Sequence, residues 1–124
     1  MRKLLVPAFI LAVTGAAFAG DVSGKGPNGG RMADAGSLHV EFLAKGADLA
    51  VFTYDHDNKP VQSTGVTGRV TVQEKGATKT VNLTAEAPNR LSGKLEAPLG
   101  TGARVILSVT PKGGKPAQAR FTAE

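Results

Sequence analysis

Apolar residues recur at every second position through most of the chain beyond residue 30. Leu38, Val40 and Phe42 form one such set, Val70 and Val72 another, Val81 and Leu83 a third, and Val105, Leu107 and Val109 a fourth. Side chains alternate between the two faces of a strand, so each set lines one buried face. The pattern predicts strands over 37–44, 48–54, 67–73, 78–83, 90–96, 103–110 and 116–121. Glycine falls between them at Lys45-Gly46, Lys75-Gly76, Gly100-Thr101-Gly102 and Lys112-Gly113-Gly114, where tight turns need positive φ. Pro60, Pro88, Pro98 and Pro111 sit at strand ends, as residues without an N–H must. Beyond residue 20 no segment carries a capped 3.6-residue apolar period. Short strands at this spacing predict an all-β chain, an immunoglobulin-like antiparallel β-sandwich of about seven strands.

The first residues follow a different pattern. Arg2 and Lys3 precede a short apolar run, and Ala17-Phe18-Ala19 offers small residues at the positions a signal peptidase inspects. Residues 1–19 therefore read as a secretory signal peptide cleaved before Gly20, and the run is shorter than the ~20 residues a membrane-spanning helix needs. The expectation is a periplasmic or secreted chain with no stable membrane insertion after cleavage. Residues 20–30, rich in Gly with Pro27 and Asn28, read as a flexible lead-in, and 31–124 as a single domain.

Composition narrows the chemistry. There is no Cys and no Trp, so disulfides, thiol nucleophiles and thiolate metal sites are excluded. The net charge of +5 includes Arg2 and Lys3, and the other basic residues are scattered, which argues against a nucleic-acid partner. No serine stands in a nucleophile elbow, and no third group orients either His as a triad requires. The glycines are dispersed through turns and form no phosphate loop. The chain reads as no enzyme and as binding no organic cofactor.

What remains is metal chemistry. His39 and His56 are the only histidines, and imidazole with carboxylate suits Cu or Zn. His39-Val40-Glu41 places an imidazole and a carboxylate on one strand face, about 6–7 Å apart at the backbone. Since Leu38, Val40 and Phe42 face the core, that face is expected to be the outer one. His56 lies between Asp55 and Asp57 in an acid-rich turn, with Met32 and Asp34 as expected neighbours. A hairpin centred on Lys45-Gly46 pairs residue 39 with about 52 and 41 with about 50. That register leaves His56 ~13 Å from His39 by strand rise, and one shared site then needs the 55–60 loop to fold back.

Gly26-Pro27-Asn28-Gly29-Gly30-Arg31, with Asp34-Ala35-Gly36, Leu38-His39-Val40-Glu41-Phe42 and the later Lys59-Pro60-Val61, resembles the N-terminal region of periplasmic adaptor subunits of heavy-metal efflux pumps. The likeness covers about a third of the chain, and the His of that family's Gly-Pro-His-Gly-Gly motif is Asn28 here. It implies an immunoglobulin-like periplasmic domain associated with copper or zinc resistance and an efflux component as partner. Two functions follow. One is a metal-binding or metal-resistance accessory protein with a weak site drawn from His56, Asp55, Asp57, His39, Glu41 and Met32. The other is a non-catalytic module docking on an envelope or efflux complex.

Overall fold

The computed structural model describes residues 24–123. The signal peptide expected at 1–19 lies outside the described residues, as do residues 20–23. Among the described residues there is no helix, and none long and apolar enough to cross a membrane. Eight antiparallel strands follow one another: β1 Arg31–Ala35, β2 Leu38–Lys45, β3 Asp48–Tyr54, β4 Thr67–Glu74, β5 Ala77–Glu86, β6 Arg90–Lys94, β7 Arg104–Thr110 and β8 Ala117–Thr122. Each segment expected to be a strand is one. The addition is β1, whose inward residues are Ala33 and Ala35, too small to stand out as an apolar stripe.

Hydrogen bonding orders the strands β1-β2-β3-β6-β5-β4-β7-β8. β5 joins the two halves, pairing with β4 through Ala77–Leu83 and with β6 through Thr84–Glu86. The sheet curls until its ends nearly meet. Arg31 Nη1 donates to the Thr122 carbonyl at 3.0 Å, and Gly36 comes so near Ala117 that a Cβ there would lie 2.9 Å from the alanine's own. The outcome is a nearly closed, barrel-like arrangement of eight antiparallel strands.

One core fills the interior. Leu38, Val40, Phe42, Leu49, Val51, Leu91, Val70, Val72, Val105, Leu107 and Val109 are all buried in it. Phe42 and Phe121 stack across it with ring centroids 5.0 Å apart. The alternation in β2 thus assigns the apolar face correctly. Its opposite face is not open to solvent throughout, because Glu41, expected outside, is fully buried.

The β2–β3 hairpin also differs from expectation in register. Lys45 pairs with Asp48, so the turn is Gly46-Ala47, and His39 stands opposite Tyr54 rather than residue 52. Gly46 has φ 58°, the conformation a type II′ turn requires at its first central position. Placing the glycine first moves the turn centre by one residue, and every cross-strand partner shifts by two. That shift carries the end of β3 toward His39.

Candidate metal centre

Three adjacent strands present one outer row to the site. Asp34 pairs with His39 across β1 and β2, and His39 pairs with Tyr54 across β2 and β3. One step along the same face, Met32 pairs with Glu41, and Glu41 with Phe52. The next strand residue after Tyr54 starts a loop that returns on itself. Asp55 N–H donates to the Lys59 carbonyl at 2.8 Å, and Tyr54 bridges to Pro60. Below it, Val61 N–H donates to the Thr53 carbonyl at 3.0 Å and Thr53 Oγ1 donates to the Val61 carbonyl at 2.7 Å. The loop is closed from within by Asp55, whose Oδ1 accepts the N–H groups of Asp57 and Lys59 at 2.8 and 3.0 Å. The Lys59 N–H, foremost, holds the Asp55 carboxyl below the usual carboxylate range. Asn58 completes the turn with φ 61°, a left-handed conformation that asparagine tolerates.

The fold-back brings the two histidines together. His56 Nδ1 lies 3.0 Å from His39 Nε2, with the rings perpendicular and their centroids 4.7 Å apart. The expected ~13 Å separation is therefore corrected, by the register shift and the capped loop together. Asp34 Oδ1 lies 2.8 Å from the same His39 Nε2. These three donor atoms, from Asp34, His39 and His56, fall within 4.8 Å of one another.

Hydrogen bonding explains why the convergence suits a cation. Asn58 Oδ1 stands 2.9 Å from His39 Nδ1, and an amide oxygen only accepts, so Nδ1 carries the proton. When the ring is neutral, the lone pair of Nε2 points at Asp34 Oδ1. That oxygen is buried, and its short approach to Nε2 is an ion pair only when His39 is protonated. Two electron-rich atoms facing each other at this distance call for a proton or a metal ion between them. A metal-ligating histidine usually has its far N–H held by an oxygen acceptor, a part the Asn58 amide oxygen can play here.

Glu41 and Asp55, both expected in the site, have other partners. Glu41 is a buried anchor. Its Oε2 accepts from the N–H groups of Asn28 and Gly30, both at 2.8 Å, and its Oε1 from Asn28 Nδ2 and the Tyr54 hydroxyl, both at 3.0 Å. The stretch expected to be a flexible lead-in is, over residues 24–30, a loop wrapped around this carboxylate. It is closed by Gly26 N–H donating to the Gly30 carbonyl at 2.8 Å. Gly30 must be glycine here, since a Cβ would sit 2.5 Å from the Phe42 carbonyl oxygen. Asn28 thus serves Glu41 rather than the cluster. Asp55 is committed to its loop, and the group of His, Asp and Glu donors does not include Asp57. Asp34 enters the cluster by its cross-strand pairing with His39, a relation that depends on recognising β1.

Tyr54 reports on the anchor. Burial, then its hydrogen bond to Glu41 and that residue's charge, push the phenol up to about 12, while Asn28 Nδ2 acts in the opposite sense. It is the only tyrosine, so absorbance near 295 nm follows its ionisation alone. The midpoint is expected near 12 in the folded chain and closer to the ordinary value of 10.0 in the Glu41→Gln variant. A raised folded pKa stabilises the fold fully below pH 10.0, and that contribution disappears as pH rises through about 12. Comparisons with protein-family models, with curated proteins and with solved structures give no match to this chain.

Proposed function

We propose that this chain is an exported metal-binding protein that holds one Cu(II) or Zn(II) ion through Asp34 Oδ1, His39 Nε2 and His56 Nδ1. The observation that carries this reading is the convergence of three donor atoms, with the buried Asp34 Oδ1 at 2.8 Å and His56 Nδ1 at 3.0 Å from His39 Nε2, on a ring whose Nδ1 faces the Asn58 amide oxygen. Two imidazoles and a carboxylate make a borderline-to-hard donor set, which suits both ions and lacks the soft sulfur that Cu(I) prefers. The signal-like first residues and the likeness to efflux-pump adaptors support a periplasmic location and an accessory part in metal resistance, with an efflux component as partner. The immunoglobulin-like reading of the fold rests on β5 dividing the sheet into two hydrogen-bonded halves over one core.

Calorimetric titration of the chain with Cu(II) and with Zn(II) tests the reading. One ion per chain is expected, with proton release, because the ligands must be unprotonated to bind. His56→Ala removes one of three donors, and both heat and proton release are expected to fall sharply. No heat with either ion at neutral pH would reject the metal reading in favour of the docking module.

A further inference from the structure

Strand register gathers arginines that are far apart in sequence. In the half of the sheet made by β8, β7, β4 and the Ala77–Leu83 part of β5, the row Val70, Leu107 and Ala119 points into the core. Arg69, Arg104 and Arg120 take the opposite side of their strands, and all three are exposed. Arg120 pairs with Ile106, two residues from Arg104, and Arg69 pairs with Ser108, two residues further along β7. Strand rise and spacing place the backbones of Arg104 and Arg120 about 8 Å apart, and those of Arg69 and Arg104 about 14 Å apart. No Asp or Glu occupies an outward position in these ladders. Cations elsewhere have acidic partners: Arg90 meets Glu86 at 2.6 Å, Lys94 meets Asp48 at 3.4 Å, and Lys79 meets Glu96 at 3.7 Å. Among the described residues, the three arginines have no hydrogen-bond or ion-pair partner. Hydroxyl and amide groups, among them Thr71, Ser108 and Gln118, fill the positions between them.

We propose that this face binds an acidic polysaccharide, a linear sugar polymer bearing carboxylates. The inference is independent of the metal reading, whose donors lie on β1, β2 and the loop after β3. Charge complementarity gives the sign of the partner, since guanidinium groups with no acid beside them attract a polyanion. Guanidinium and carboxylate match as planar forks joined by two parallel N–H···O bonds. A polymer that repeats its charge can meet arginines spread over about 14 Å of sheet, as one small anion cannot. The hydroxyl and amide side chains between them both donate to and accept from sugar hydroxyls. A lipid surface fits less well. Peripheral binding to a bilayer buries apolar side chains, and the one apolar residue at an outward position here, Ile106, is already half-buried. A nucleic acid also fits less well, because no aromatic side chain stands on this face to stack its bases.

The test titrates the chain, without added metal, with alginate fragments and with neutral dextran of the same length. Nuclear magnetic resonance follows the backbone amides and the arginine side chains. Alginate is expected to shift signals of β4, β7 and β8 at low salt, less so as salt rises, while dextran leaves them in place. The combined variant Arg69→Gln, Arg104→Gln and Arg120→Gln is expected to lose at least about 10-fold in affinity with its urea midpoint unchanged. A control with Lys45→Gln and Lys94→Gln, on the other half of the sheet, keeps the parent affinity. No shift with alginate, equal shifts with dextran, or equal affinity in the arginine variant and the parent would each overturn the inference. Tighter binding to phosphatidylglycerol vesicles or to single-stranded DNA, lost in the arginine variant, would overturn it too and assign the face to that class of partner.

Discussion

Replacing Glu41 with Ala is expected to destabilise the chain by about 3–5 kcal/mol, read as a lowered urea midpoint at unchanged slope. The carboxylate is fully buried and accepts four hydrogen bonds. Without it, the Gly30 N–H and the Tyr54 hydroxyl are left with no acceptor in a region closed to water. Each such orphan costs about 1–3 kcal/mol, and hydrogen bonds to an ionised group are stronger than neutral ones. Collapse cannot repair the loss, because the 24–30 loop was shaped around the carboxylate, with Gly30 against the Phe42 carbonyl. Glu41→Gln, which keeps the shape and one oxygen acceptor, is expected to fall between the two. A loss below about 1 kcal/mol for Glu41→Ala would mean that the loop is held by other contacts.

His39→Ala is expected to abolish metal binding in the same titration, a larger effect than that of any other single change at the site. Its Nε2 is the atom from which both other donors are measured, at 2.8 Å to Asp34 and 3.0 Å to His56. Asn58 separates the ligand from its support. Asn58→Gly removes the oxygen that holds His39 Nδ1–H, and glycine still adopts the left-handed φ of 61° at that position. Affinity is expected to fall about 10- to 100-fold with the urea midpoint little changed, the usual effect of losing a partner that orients a metal ligand. Equal affinity in Asn58→Gly and the parent chain would show that Asn58 does not set the tautomer.

The strands were legible because Val and Leu alternate strictly in β4 and β7 and because glycine marks most of the breaks. β1 was not, since Ala33 and Ala35 bury too little surface to announce an inward face. The site depended on what was least legible. Which central position Gly46 takes is a choice of turn type, and composition does not distinguish a glycine that comes first from one that comes second. That choice displaced each β2–β3 partner by two residues. The return of the loop was written in Asp55, two and four residues before the N–H groups it caps, but an aspartate in a turn has many other uses. Glu41 looked like a surface residue because alternation reports which face of a strand a side chain takes. It says nothing of a distant segment laid over that face.

All three donors and the asparagine behind them lie between residues 34 and 58, on β1, β2 and the loop closing β3. The ladders that unite them join consecutive strands through short hairpins, whereas closing the barrel pairs β3 with β6 and brings β1 against β8. Short loops cost less entropy to close than long ones. The meander is therefore one of the local units able to take shape early, and an ion captured there would act on folding by joining strands that neighbour one another in sequence.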